Sequence, residues 1–276
     1  MSMSIRTNTA SLNATRNLMV SQSQLDRSLS KLSSGYRITR ASDDAAGLGV
    51  SANLTAQYRS YNQAMRNAND GLSLVQTAEA ALNETTNILT RMRELAMQSA
   101  SDGIGTTERG YIQEEADALI EELDRLDATT EFNGTTIFGA ANALSFQVGI
   151  RDSADDYIDI DTSGIEVDST SLAVNTVDLS VDAATSRGHL AAIDAAIEDV
   201  SGFRAELGAG ANRLESVLNT VATAAESVAA SNSRIRDVDV AAETAEMSKA
   251  QILVQAGVSV LAQANQAPQV ALKLLG

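Results

Sequence analysis

The sequence predicts a mostly α protein: a bundle of long antiparallel helices with a terminal coiled coil and one small β-hairpin. Apolar residues recur at helical spacing over long stretches near both ends of the chain. Pro268 is the single proline, so little in the sequence interrupts a helix. Aromatic residues make up only 3% of the chain and tryptophan is absent. Such a composition suits a bundle core of Leu, Ile, Val and Ala better than an ordinary globular core.

The N-terminal stretch predicts a helix with one apolar face. Its leucines follow a seven-residue spacing, and Ser33-Ser34-Gly35 is a typical C-terminal stop signal. We expect this face to form one side of a coiled-coil seam. The leucines of the predicted seam are Leu18, Leu25, Leu29 and Leu32.

A second helical region follows a junction of small residues at 43–49. The Asn-Asp-Gly sequence at 69–71 predicts a local irregularity within it, because glycine and asparagine favour non-helical conformations. Beyond that point a strict heptad predicts a long helix, and a further helix follows the turn at 101–105. The heptad residues are Leu74, Ala81, Ile88 and Leu95.

The middle of the chain predicts the β-hairpin, within about 140–180. Residues 146–150 and 157–161 alternate apolar and polar side chains, which is typical of short strands with one wet face. Asn133-Gly134 predicts a tight turn before them. Residues 101–200 carry a net charge of −18, against +3 for residues 1–100 and −1 for residues 201–276. We therefore expect this acidic middle to be held in solvent.

The C-terminal part predicts two more helices. Apolar residues follow a 3–4 spacing from Leu190 for some 45 residues, and a last helical segment runs from about Val240 to Gly276. This segment supplies the second side of the predicted seam, namely Val254, Leu261 and Ala264. The seam is either a plain intramolecular core or a surface that is also buried between copies of the chain.

Several classes of function are disfavoured. Cysteine is absent, so disulfides and thiolate chemistry are excluded. The acidic balance argues against binding to nucleic acids or anionic membranes, and no apolar run is long enough to predict a membrane span. The first ten residues lack the order of a Sec signal peptide, so we expect any export to use another route.

No residue pattern predicts a catalytic, cofactor or metal site. The aspartates between 152 and 161 lack the order of a calcium-binding loop, and a solvated hairpin face explains them better. His189 is the only histidine, so a zinc site or a Ser/His/Asp triad is not easily built, and we expect a surface or capping role.

The chain resembles bacterial flagellin in several separate blocks that occur in the right order at both ends. Arg6 stands where a second Asn is usual and Thr90 where a Gln is often found, but the other blocks agree. The matching blocks are Asn8, Ser11-Leu12, Ala14, Asn17-Leu18, Leu32–Ile38, Asp43–Leu48, Asn67–Gly71, Arg91–Ala96, Ser233–Asp237, Ala241–Glu243, Gln251–Leu253 and Leu261–Gln266.

The resemblance implies a structural subunit of the extracellular flagellar filament that polymerises helically and serves swimming motility. It implies an inner coiled-coil domain from 1–42 and 236–276, and a bundle domain with the hairpin from 43–235. Only about 50–60 residues separate the predicted helix that follows the turn at 101–105 from the long helix that begins near Leu190. A minimal form without outer variable domains is therefore expected. Implied partners are other copies of the chain, an export chaperone of the flagellar type III route, the filament cap and the hook-junction proteins.

The resemblance also implies a possible surface for a vertebrate innate immune receptor, formed by Arg91, Leu95 and Glu115. Two alternatives to the filament subunit stay open at this point. A hook–filament junction protein shares the same ends but usually has a larger middle. A cytosolic coiled-coil adaptor explains the heptads but leaves the matched terminal blocks unexplained.

Overall fold

The computed structural model describes residues 7–139 and 143–273 and is mostly helical, as predicted. Parts of the predicted elements at 1–6, 140–142 and 274–276 lie outside the described residues. The elements are α1 (Thr9–Ser34), α2 (Ala45–Ser99), α3 (Thr106–Thr129), β1 (Glu131–Phe132), β2 (Thr135–Thr136), β3 (Ala143–Gln147), a 3-10 turn (Ala154–Asp156), β4 (Tyr157–Asp161), α4 (Ala183–Arg236) and α5 (Val240–Lys273).

The chain forms two compact units. Unit 1 comprises residues 1–56 and 227–276, and unit 2 comprises residues 57–226. Helices α2 and α4 each contribute residues to both units. Among the described residues, no helix combines the length and apolarity needed to cross a membrane.

Helix α1 begins and ends at the signals that the sequence carries. The Asn8 side chain accepts a hydrogen bond from the amide of Ser11 and caps the first turn. Gly35 adopts a left-handed conformation with φ of 75° and its amide donates to the carbonyl of Lys31. The predicted end of the helix near residues 33–35 is confirmed.

Helix α2 is continuous through residues 69–71, so the predicted irregularity there is wrong. The Asn69 side chain donates back to the carbonyl of Met65 within the helix. A Cβ at Gly71 would lie 3.1 Å from both Leu214 Cδ1 and Phe146 Cγ. Close packing around Gly71 therefore compensates for the roughly 1 kcal/mol that glycine costs inside a helix.

The predicted hairpin is present, with β3 and β4 antiparallel and Phe146 opposite Ile158. Its first strand ends at Gln147 rather than at residue 150, because the amides of Val148 and Gly149 both donate to the carbonyl of Asp156. A second hairpin, formed by β1 and β2, was not predicted as such. It is closed by the Asn133-Gly134 turn, where both residues have positive φ.

Residues 162–182 are not simply held in solvent, which corrects the expectation for the acidic middle. This irregular segment buries six large apolar side chains in the core of unit 2. Side chains of α3 satisfy its backbone: Asp124 accepts from the amide of Ser169, and Gln113 accepts from the amide of Leu179. The buried residues are Ile165, Val167, Leu172, Val174, Val177 and Leu179.

A buried arginine joins the elements at the end of α2. Arg109, on α3, is only 7% exposed and donates to the carbonyls of Ser99 and Ser101 at 3.1 and 3.0 Å. Ser99 in turn donates to the carbonyl of Leu179 and lies 3.0 Å from the hydroxyl of Ser186 on α4. The guanidinium thus satisfies carbonyls that the end of α2 leaves without helical partners.

We expect Arg109→Ala to destabilise unit 2 by about 1–3 kcal/mol, because it leaves the carbonyl of buried Ser99 without its donor. Urea unfolding followed by circular dichroism measures the change. Arg125→Ala is the matched control, since Arg125 makes only an exposed ion pair with Glu122 on its own helix. Equal unfolding midpoints for the two variants would contradict the role given to Arg109.

Asp182 caps the first turn of α4. Its carboxylate accepts from the amide of Thr185 at 2.6 Å, and this hydrogen bond lowers the pKa of the Asp182 carboxyl. A carboxyl with a lowered folded pKa stabilises the fold above its unfolded value, and this contribution is lost as the pH falls through the folded value.

We expect Asp182→Ala to melt a few degrees below the wild type at pH 7. The difference should close as the pH falls below the ordinary aspartate value of 3.8, because the wild-type carboxyl then loses its charge. Asp182→Asn keeps an acceptor oxygen at the cap and should melt close to the wild type at pH 7. A difference between wild type and Asp182→Ala that is independent of pH would contradict this assignment.

Candidate functional site: the paired terminal helices

Helices α1 and α5 pair in unit 1, and polar contacts fix their antiparallel direction. Near the start of α1, Asn8 donates to the carbonyl of Ala264 and Ser11 donates to Asn265, both at 2.8 Å. Near its end, Lys31 lies 3.6 Å from Glu243 at the start of α5. The two ends of the chain therefore meet over the length of a long helical pair.

The buried positions of the pair follow the 3–4 spacing of a coiled coil. Six predicted seam residues lie on it: Leu18, Leu25, Leu32, Val254, Leu261 and Ala264 are each partly buried. We call this set of positions the seam. Its members are Ser11, Ala14, Leu18, Ser21, Leu25, Ser28 and Leu32 on α1, and Glu243, Met247, Ala250, Val254, Gly257, Leu261 and Ala264 on α5.

Leu29, the seventh predicted seam residue, lies beside the seam and is 48% exposed. The neighbouring Ser28 takes the inward position and is only 4% exposed. Hydrophobicity alone favours leucine over the neighbouring serine as the buried residue. The 3–4 spacing that starts at Ala14 reaches residue 28 rather than residue 29, and it predicts correctly that Ser28 faces inward.

A short backbone clasp joins the segments that connect to α1 and α5. The amide of Arg37 donates to the carbonyl of Arg236 at 2.6 Å, and the amide of Val238 donates to the carbonyl of Gly35 at 3.0 Å. The guanidinium of Arg236 lies 4.1 Å from the centre of the Tyr36 ring, a cation–π contact. Sequence reasoning missed this clasp, because nothing local in either segment predicts that the two will pair.

The turn that follows α1 forms one side of a cleft in unit 1. Asp43 accepts hydrogen bonds from the hydroxyl and amide of Thr39 and from the amide of Arg40. The hydrogen bond from the Thr39 hydroxyl contributes most to lowering the pKa of the Asp43 carboxyl. Asp43 therefore stays ionised near neutral pH and fixes the conformation of the turn.

Large apolar side chains remain exposed along both helices of the pair. Of the fifteen such side chains among the described residues, eleven belong to unit 1, although unit 2 is the larger unit. Those on the two helices are Leu12, Met19, Val20 and Leu29 on α1, and Val240, Ile252, Leu253, Val258 and Val260 on α5. A concentration of exposed apolar side chains on one part of a protein is typical of sites of protein–protein contact.

The residues of the predicted receptor surface do not all lie at the surface. Arg91 and Glu115 are exposed and ion-paired at 2.7 Å between α2 and α3. Leu95 is 1% exposed and belongs to the core of unit 2. The hydrogen bond with Glu115 raises the pKa of Arg91, so the guanidinium stays charged at any ordinary pH.

The acidic hairpin and His189 make hydrogen bonds to residues near them in the sequence. Asp161 accepts from the amide and hydroxyl of Ser163, and His189 accepts from the amide of Asp178 at 3.3 Å. Burial raises the pKa of the Asp127 carboxyl, and the nearby carboxylate of Asp168 adds to the effect. Within the part of the chain that the structure describes, no three His, Asp or Glu side chains are arranged to hold a metal ion.

These features define a class of protein: a helical assembly subunit. Unit 2 has a closed core, whereas unit 1 pairs the two chain ends and leaves apolar side chains exposed along the pair. Comparison with known proteins identifies the family. Residues 5–143 match the bacterial flagellin N-terminal helical region, and residues 190–275 match the bacterial flagellin C-terminal helical region.

Individual relatives agree over their full lengths. A flagellin of Halalkalibacterium halodurans is 40% identical over 274 residues, covering 99% of this chain and 100% of the relative. A flagellin of Bacillus subtilis is 39% identical over 308 residues, with the same coverage. The crystal structure of Bacillus cereus flagellin, 31% identical, covers 56% of this chain and 88% of its own with a TM-score of 0.50.

The chain belongs to the bacterial flagellin family. It is a structural subunit that polymerises into the extracellular flagellar filament used for swimming. It is also a short member: the alignment with flagellin A of Vibrio anguillarum extends over 378 positions, against 276 residues here. No comparison favours the junction protein or the cytosolic adaptor.

A charge in the seam tests whether the pair is needed for polymerisation. We expect Leu261→Asp to abolish polymerisation while unit 2 stays folded, because a carboxylate at this partly buried position disrupts the pairing of α1 with α5. Sedimentation and negative-stain electron microscopy measure polymer, and circular dichroism measures folding. Normal filaments from this variant would mean that the seam is not needed for assembly.

Proposed function

We propose that the α1–α5 pair is the element through which copies of this chain contact one another in the filament. The observation that carries this proposal is the concentration of exposed large apolar side chains on unit 1. Burial of apolar side chains is the main favourable contribution to most protein–protein association. The region from 1–42 with 236–276 then acts as the assembly domain, and 43–235 as the bundle domain that it carries.

The exposed apolar residues fall on two opposite flanks of the seam. With 3.6 residues per turn, Leu12, Met19 and Leu29 of α1 fall on the same flank as Val258 of α5. We call this flank the α1 surface. Leu253 and Val260 of α5 fall on the other flank together with Val20 of α1, and we call this flank the α5 surface.

Two different apolar surfaces on one subunit suit an open polymer. When unlike surfaces of successive copies meet, the contact is heterologous and repeats without closing, provided that the rotation does not close a ring. We therefore propose that the α1 surface of one copy contacts the α5 surface of another. The filament cap and the hook-junction proteins are proposed to contact the unpaired surfaces at the two ends of the polymer.

Before assembly, both surfaces need protection from nonspecific association. We propose that an export chaperone of the flagellar type III route binds α5, which exposes Ile252, Leu253, Val258 and Val260. An innate immune receptor is a further proposed partner, through the exposed Arg91 and Glu115. A mechanical role of this kind involves no chemical step, and we propose that the chain has no enzymatic activity.

Blocking one surface tests the heterologous contact. We expect Met19→Asp to prevent polymerisation of the purified variant, because it places a charge on the α1 surface, where Met19 is 67% exposed. Its α5 surface stays intact, so the variant should still bind one end of a wild-type polymer. Added at a few per cent of the wild type, it should shorten filaments, as measured by electron microscopy.

Met97→Asp is the matched control, because Met97 is 53% exposed but belongs to unit 2. This variant should polymerise and should not shorten wild-type filaments. If Met19→Asp polymerises at the wild-type critical concentration, the α1 surface is not an assembly contact. If it fails to polymerise but leaves wild-type filaments at full length, the heterologous arrangement is wrong.

A further inference from the structure

Helix α5 approaches helix α1 closely at Gly257, where Leu18 of α1 lies opposite. A Cβ added to Gly257 would lie 3.3 Å from Leu18 Cδ1 and 3.9 Å from Leu18 Cα. The backbone of α1 therefore lies within van der Waals distance of the place where any residue other than glycine at position 257 would put its Cβ. A methyl group at residue 257 would require Leu18 Cδ1 to shift by a few tenths of an ångström, and a larger side chain would meet the backbone of α1.

Most of the rest of the seam continues the pattern of one large side chain against one small side chain. The contacts Leu18–Gly257 and Lys31–Glu243 fix the alignment of the two helices. In that alignment Leu32 stands opposite Glu243, and the other four large apolar residues each stand opposite Ala or Ser. The pairs are Leu25 with Ala250, Leu261 with Ala14, Val254 with Ser21 and Met247 with Ser28.

This pattern restricts how the helices can slide. A shift of three or four residues would place large side chains against large ones, which forces the helices apart. A shift of a whole heptad keeps the pattern but separates Lys31 from Glu243, and it conflicts with the clasp between Gly35–Arg37 and Arg236–Val238. The spacing and the register of α1 and α5 are therefore both specified.

We propose that Leu18 and Gly257 are positioning residues that set the subunit spacing of the filament. This inference rests on the proposed function, in which the α1 surface and the α5 surface contact different neighbours. The two surfaces belong chiefly to different helices, so their separation depends on the distance between α1 and α5. A change at the Leu18–Gly257 crossing moves one docking surface relative to the other without altering either.

Enlarging residue 257 tests the proposal. We expect Gly257→Leu to raise the critical concentration for polymerisation about tenfold or more, because the added side chain forces the helices apart. The double variant Leu18→Ala/Gly257→Leu exchanges the large and small partners and should return the critical concentration to within about threefold of the wild type. Gly202→Leu is the matched control, since Gly202 lies on α4 with nothing within 4 Å of its added Cβ, and it should polymerise normally.

The variant Gly257→Ala distinguishes a positioning role of Gly257 from an effect of glycine on the stability of α5. If Gly257 were merely a weak point of α5, alanine would strengthen the helix and lower the critical concentration. Positioning predicts the opposite, a higher critical concentration together with an altered subunit spacing measured by cryo-electron microscopy. Circular dichroism checks in each case that unit 2 is folded.

The outcomes distinguish this inference from the proposed function. If Leu261→Asp and Met19→Asp polymerise normally, the proposed function fails and this inference fails with it. If those variants are blocked but Gly257→Leu polymerises with wild-type spacing and critical concentration, only the positioning role is overturned. Restoration by the double variant supports it, and failure of that variant with unit 2 folded overturns size complementarity as the cause.

Discussion

The antiparallel pairing of α1 with α5 determines how the two ends of the chain are arranged for assembly. These helices come from opposite ends of the chain, so everything between them has to begin and finish beside the same pair. Helix α2 runs from unit 1 into unit 2, and α4 returns from unit 2 to unit 1. A pairing between residues so far apart in the sequence carries a loop-closure cost and favours slow folding.

The two units differ in how far they bury their own apolar side chains. Unit 2 closes its own core around α2, α3 and α4, and Arg109 completes the hydrogen bonding where these elements meet. Unit 1 leaves apolar side chains outside its seam. The charges follow the same division: counted from the sequence, unit 2 carries −19 and unit 1 carries +3. Like charge disfavours contact between copies of unit 2, whereas the small net charge of unit 1 opposes association far less.

Periodicity in the sequence predicts most of the helical fold and most of the seam, because both depend on patterns that a helix repeats along its own length. Periodicity does not predict the structure where a residue's conformation or burial depends on contacts with residues far away in the sequence. Gly71 continues a helix because Phe146 and Leu214 pack there, and the apolar residues of 162–182 are buried because α3 satisfies their backbone. Arg109 likewise gives no local sign of burial. At the seam, size misleads: Leu29 is the larger residue, but Ser28 faces inward.

The small residues that let the terminal helices approach closely also limit what the pair gains by itself. Ala, Ser and Gly occupy one side of nearly every layer, so each layer buries about one large side chain where a leucine-rich seam would bury two. Additional stabilisation then has to come from contacts outside the pair, and the exposed apolar surfaces are where such contacts can form. Ordering of the chain ends and polymerisation are thereby coupled: a neighbour that buries Met19 or Leu253 stabilises the pair that positions both residues. A seam with two large side chains in each layer would stabilise the pair without a neighbouring subunit. The geometry of the pair would then no longer depend on polymerisation.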